Sequence, residues 1–306
     1  MNPEAIHHID ASQQGSQSRP VLLAVAWIAV LFASPLAVIL WSFFSVQVPI
    51  FVQLIPSIGV ALLFIVSLLL ATLRPLRGFL VALLASTLGW LLLVLIFQST
   101  LWQHWTKGVP WGLAQLAEQV LRLVPAVLIA VTFVGSGLGR RELFLVKGDL
   151  KAPVRPSKML FWVRRPYSWT RLAVELIIIF GVVLPLYLAL TIRPNIHMLG
   201  NAIVLLPFII LAAAMNALNE EFQYRSAFLA RLGPVFGDQQ SLWLTAVLFG
   251  LGHWFGQPSG PIGVLLAGYA GWIWGKSMQE TKGITWAWLI HFIQDVVILT
   301  FLAMLL

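Results

Sequence analysis

The chain has 306 residues, 59% of them hydrophobic and 10% charged, with no cysteine and a formal net charge of +8; its mean hydropathy is +0.90. This composition excludes an ordinary soluble domain, and the lack of cysteine excludes disulfides, a thiol nucleophile and thiolate metal sites. In a soluble protein the basic balance would point to nucleic acid, but in so apolar a chain it fits membrane topology better, and no nucleic-acid partner is expected.

The first 20 residues are polar, carry Glu4 and Asp10, and lack the basic flank and cleavage pattern of a secretory signal. The first apolar helix is therefore expected to be retained. A helix needs about 20 apolar residues to cross ~30 Å of hydrocarbon, and runs that qualify lie near 21–46, 55–73, 78–97, 112–138, 170–193, 201–231, 240–256, 260–279 and 284–304. The fold class this predicts is an all-α polytopic membrane bundle of about nine transmembrane helices. Trp102, Trp105 and Trp111 flank a loop between two of these runs, as interfacial anchors do.

With the N-terminus placed inside, 16 of the 19 Lys and Arg fall on inside segments. They are Arg19, Arg74, Arg77, the nine between Arg140 and Arg171, Arg225, Arg231, Lys276 and Lys282. Outside segments hold only Lys107 and Arg193, and Arg122 lies within a span. The positive-inside rule thus predicts a cytoplasmic N-terminus and an outside C-terminus, in a protein read as integral to a bacterial plasma membrane.

Residues 139–169, "GRRELFLVKGDLKAPVRPSKMLFWVRRPYSW", form the only long connection. They divide the chain into an N-terminal transmembrane region (1–138, about four helices), a basic cytoplasmic loop (139–169) and a C-terminal part (170–306). The loop is expected to lie against anionic headgroups, where each basic side chain contributes roughly 1 kcal/mol. No internal repeat and no inverted pair of interrupted helices of the transporter kind is evident.

Ionisable residues inside a membrane are costly unless paired, and so are functional suspects. Three clusters stand out in the C-terminal part. In Glu220-Glu221-x-x-x-Arg225, Glu221 and Arg225 are four apart in the order that favours an ion pair, while Glu220 lies about 100° around the helix and stays free to act. Phe249-x-x-x-His253 and His291-x-x-x-Asp295 each share one helix face within an apolar run. Counted from the inside surface at 1.5 Å per residue, His253 lies roughly 16 Å deep and His291 and Asp295 roughly 10 and 16 Å. Glu220 reaches a similar level if its helix stays in the membrane to about residues 226–230. The clusters are therefore expected in one cavity that admits cytosolic water. Gly271 and Gly275 are spaced as in GxxxG and predict close helix packing.

These motifs, in this order, resemble the signature of the CPBP family of intramembrane endopeptidases, which includes the type II CaaX prenyl proteases and bacteriocin-processing, Abi-like members: EExxxR, FxxxH, then HxxxN or HxxxD. The resemblance covers about the last 140 residues and leaves the first half unassigned. It implies that Glu220 is the general base for water and that His253 helps to hold that water. It further implies that Glu221 and Arg225 brace the site or engage substrate, with Phe249 supporting, and that His291 and Asp295 bind the scissile carbonyl and its oxyanion. Asp295 departs from the Asn of the prenyl-processing members. An Asn amide donates to an oxyanion whereas an ionised Asp does not, so Asp295 is either protonated or serves water or a metal.

The cofactor is none or Zn²⁺; Glu220, His253 and His291 are the ligand types a metal would use, with the metal-free reading ahead. No HExxH occurs, and a rhomboid-like pairing of Ser277 with His291 is disfavoured because Lys276 and Lys282 place Ser277 at the inner surface. The partners expected are the bilayer and a peptide or membrane-protein substrate, lipidated or membrane-proximal, with the active site open to the cytoplasmic side. Two other readings remain: a non-proteolytic membrane partner, and a proton-coupled transporter using the same carboxylates and histidines as a relay.

Overall fold

A computed structural model describes residues 19–163, 166–191 and 193–306. The reading of the N-terminal 18 residues lies outside this set. The described helices are α1 (Arg19–Ala33), α2 (Leu36–Ser42), α3 (Ile50–Leu69), α4 (Arg77–Gln98), α5 (Thr100–Lys107), α6 (Trp111–Val131), α7 (Trp169–Thr191), α8 (Leu199–Val204), α9 (Leu206–Glu221), α10 (Ala227–Phe236), α11 (Asp238–Gly252), α12 (Gly260–Thr281) and α13 (Thr285–Ala303). No described residue lies in a strand, and the protein is an all-α membrane bundle.

Five of these, α3, α4 with its preceding 3₁₀ turn, α6, α7 and α13, are long and apolar enough to cross a membrane. Two bent pairs bring the number to seven: α1 with α2 at 51°, and α8 with α9–α10 at 76°. The other two runs read from the sequence became α11, which is only 15 residues long, and α12, which Lys276, Gln279 and its glycines make less apolar. Most of α12 beyond Ala270 is buried by neighbouring helices, so it needs no lipid-compatible surface.

The two halves share one core. Leu22 and Ala26 of α1, Phe79 and Leu83 of α4, and Ile129 of α6 pack with Phe228 and Leu232 of α10 and Leu244 of α11, and the Phe79 and Phe228 rings meet edge to face at 5.6 Å. Apolar burial of this kind contributes roughly 25 cal/mol per Å² against water; within lipid, close packing carries more of the load.

The basic connection does more than lie on headgroups. Ala152, Val154, Leu160, Val163 and Trp169 are buried in a second core with α7, α11, α12 and α13. Asp149 N–H donates to Thr281 O at 2.7 Å and Ile284 N–H to Val146 O at 3.1 Å. The indole of Trp286 donates to Leu150 O at 3.0 Å, and that of Trp169 donates to Glu280 Oε2 at 2.8 Å. Gly148, at φ +71°, fits this seat because a Cβ there would stand 2.5 Å from Thr281 O. The segment caps the turn between α12 and α13, with its described charges outward and apolar residues such as Val154 and Leu160 inward.

Candidate functional site

The site is assembled at the end of α9. After Glu221 the helix widens into a π turn over Phe222–Ser226 before α10 resumes, a local unwinding frequent at functional sites. Glu221 and Arg225 form the ion pair expected from their spacing, Nη1 to Oε1 3.0 Å, with both side chains fully buried. The guanidinium lies over the Phe249 ring at 3.6 Å and near Trp274 at 4.8 Å, although none of its nitrogens meets hydrogen-bond geometry. The aromatic faces and the carboxylate together hold a charge that would otherwise be prohibitively costly to bury.

Glu221 Oε1 also accepts from His291 Nδ1 at 2.8 Å. This fixes the imidazole, which stacks on Trp274 at 4.2 Å and 13°, and turns Nε2 toward Glu220 Oε2 at 3.6 Å and Asp295 Oδ2 at 3.5 Å. Both separations exceed hydrogen-bond length. Asp295 Oδ2 accepts from Asn216 Nδ2 at 3.0 Å, while Glu220 Oε2 has no hydrogen-bond partner. His253 Nδ1 lies 2.9 Å from Phe249 O; donation there leaves Nε2 of the neutral ring as an acceptor.

Glu220, Phe249, His253, His291 and Asp295 all line one cavity of ≈ 470 Å³, which Glu221 and Arg225 do not reach. The sequence had counted Arg225 among the inside surface charges and allowed it and Glu221 substrate contact. Both are fully buried and lie outside the cavity lining. Among the described residues, no three His, Asp or Glu side chains form a set able to hold a metal ion.

Gly271 and Gly275 of α12 serve this arrangement. A Cβ on Gly271 would stand 2.7 Å from Arg225 Nη2 and 3.0 Å from Phe249 Cδ1, and one on Gly275 would stand 2.6 Å from Leu242 Cδ1. Gly271→Ala is therefore expected to destabilise by about 1–3 kcal/mol through overpacking. Gly181→Ala, where nothing lies within 4 Å, should be neutral or stabilising by up to about 1 kcal/mol. Thermal unfolding of the two variants in detergent checks the contrast.

Several cavity residues went unnoticed in the sequence. Gln115, Glu118, Gln119 and Arg122 of α6 and Trp90 of α4 also line the cavity, and of these Arg122 alone stood out in the sequence, as a charge within a span. Arg122 pairs with Glu118 at 2.6 Å, and its backbone carbonyl accepts from Asn219 Nδ2 at 2.9 Å, tying α6 to α9. Their spacing of i, i+3, i+4 and i+7 was a readable polar stripe in an apolar run. A smaller apolar cavity of ≈ 320 Å³, lined by Ala33, Pro35, Gln53 and Thr87 among others, adjoins the first and shares Trp90, Tyr224, Gly252 and Phe255 with it.

The cavity does not run toward the basic end as expected. Its lining reaches Gln115 near the start of α6, Gln257 beyond the end of α11 and Leu302 near the end of α13, all at the end opposite the α12–α13 turn. The basic segment is docked at the other end, on the α12–α13 turn.

Fold and site together define a polytopic α-helical membrane protein with a buried carboxylate and histidine centre. Residues 202–297, which contain all three motifs, match the family model described as Rce1-like, Type II CAAX prenyl endopeptidase. This agrees with the CPBP and CaaX protease resemblance carried by those motifs. No curated protein and no solved structure matches the chain.

Proposed function

We propose that the protein is an intramembrane endopeptidase that hydrolyses a peptide bond of a membrane-associated peptide or protein with water activated by Glu220. The observation that carries this reading is the pairing of a carboxylate oxygen without a hydrogen-bond partner, Glu220 Oε2, with the His291 imidazole 3.6 Å away in a polar cavity that also holds His253. In this reading Glu220 takes a proton from water held with His253 Nε2 and returns it to the leaving amine. In the same reading His291, with Nδ1–H given to Glu221, acts as the imidazolium, because only the doubly protonated ring has an Nε2–H to offer the oxyanion that develops on a scissile carbonyl; Asp295 lies beside it. Arg225 acts only through Glu221, as a positioning residue. Nine spans with the N-terminus inside, in a bacterial plasma membrane, complete the proposal.

The test compares wild type with Glu220→Gln in nanodiscs against a fluorogenic peptide library read by mass spectrometry, with and without a chelator. Loss of cleavage in the variant, with the wild type indifferent to chelation, supports a glutamate peptidase. Cleavage abolished by chelation and restored by Zn²⁺ would replace it with a metalloenzyme. If both folded proteins cut nothing, or liposome flux depends on Glu220, the reading gives way to the partner or transporter alternative.

Asp295 supplies a finer check. An Asn at this position keeps the shape and can still receive the Asn216 amide through its carbonyl oxygen, while its own NH₂ becomes a donor toward the carbonyl site. Asp295→Asn is expected to retain cleavage within about tenfold of wild type, whereas Asp295→Ala should lose about 10²–10³-fold in kcat, the usual effect of deleting an oxyanion-site group. Steady-state kinetics on one library-derived peptide measure both.

A further inference from the structure

The ends of the bundle differ in charge and in which of them the cavity reaches. At the end that holds the α12–α13 turn lie Lys276 and Lys282 and the basic connection, whose apolar residues pack into the bundle there, while Arg77 opens α4 beside Arg231 of α10. Arg225, fully buried with Glu221, lies against Phe249 and Trp274 of the core that this segment joins, and no described residue of the segment lines the cavity. From Glu220 toward the other end, the cavity wall carries Gln115, Glu118, Gln294 and Gln257, with Ile298 and Leu302 of α13 alongside. That end bears few cations: Lys107 follows α4 and Arg193 follows α7.

A polar path through the hydrocarbon is tolerated where it lines a water-filled cavity, and the basic end of a membrane protein faces the cytoplasm. We infer that the cavity is entered from the non-cytoplasmic face, and that what it takes is a peptide segment displayed on that face. This rests on the peptidase reading for the nature of the ligand. Entry from that side reverses the cytosolic access expected from residue depth alone, because depth locates the catalytic groups but not the open end of the pocket.

The cysteine-free chain allows a direct test by single-cysteine accessibility in the full-length protein. Lys151→Cys marks the basic connection, Gln257→Cys the mouth, and Ile298→Cys the cavity wall, with Leu302→Cys as a second wall position should Ile298→Cys fail to express. The probe is a small, charged, membrane-impermeant methanethiosulfonate applied to intact cells and to permeabilised ones. Gln257→Cys and Ile298→Cys should react in intact cells, and Lys151→Cys only after permeabilisation. Reaction of Ile298→Cys only in opened cells, together with Lys151→Cys, would overturn the inference, as would a reactive Gln257→Cys beside wall cysteines that react from neither side. None of these readouts needs cleavage, so an inactive protein with the expected labelling would refute the peptidase reading and leave the entry side standing.

Discussion

Glu220→Gln is expected to reduce kcat by about 10²–10⁴-fold, the range general-base catalysis contributes, with little change in stability. Gln has nearly the same volume, and the Oε2 that it replaces has no hydrogen-bond partner to lose. The neighbouring His291 keeps its 2.8 Å contact with Glu221, so its orientation should survive. Binding of a peptide that wild type cleaves should also survive, which separates loss of the base from loss of the pocket. Unchanged kcat in a folded Glu220→Gln protein would remove this residue from the chemistry.

The second large effect belongs to Arg225. Arg225→Ala strips the partner from a carboxylate that is fully buried and empties the space between Phe249 and Trp274. Breaking a buried pair from one side costs about 3–5 kcal/mol, and thermal unfolding in detergent should show a loss of that order. Replacing both members, Glu221→Leu with Arg225→Met, is expected to lose less stability than the two single losses added, because no uncompensated charge remains. Cleavage should nonetheless stay low in the double variant, since His291 Nδ1 loses its acceptor. A fall in kcat with KM unchanged in that stable double variant distinguishes a brace from a substrate contact.

The pattern of what was readable follows from geometry. The three motifs were visible because each places its residues one helical turn apart, and the ion pair and the convergence of Glu220, His291 and Asp295 follow from that spacing plus similar depth. Bends were hidden: a run such as 201–231 reads as one span, yet it turns by 76° between α8 and α9. Asn216 beneath Asp295, and the α6 wall, involve contacts across 79 and 97 residues, which no local window contains. The basic segment misled because its charges dominate its composition, while the residues that dock it, such as Val154 and Leu160, follow no helical or strand period. The direction of the cavity was also out of reach, being a property of which residues from distant helices line it.

The π turn at Phe222–Ser226 gives this chain a place where its length can change. The turn holds one residue more than an ordinary α turn, so removing one there would let the helix close up as α with its downstream face nearly in phase, whereas the same removal from a regular stretch would shift everything downstream by about 100° and 1.5 Å. A deletion on the far side of Arg225 would even leave the Glu221 and Arg225 spacing intact, so the motif would still be legible in the shortened sequence. Phe228 and Leu232 would keep facing Phe79 and Leu83, and the two halves of the protein would still fit. Length in this stretch is thus uncoupled from the seating of the N-terminal helices: a homologue that keeps the motif but lacks a residue here would need no compensating change in α1 or α4, and the loss would fall on what the widened turn presents to the cavity, Tyr224.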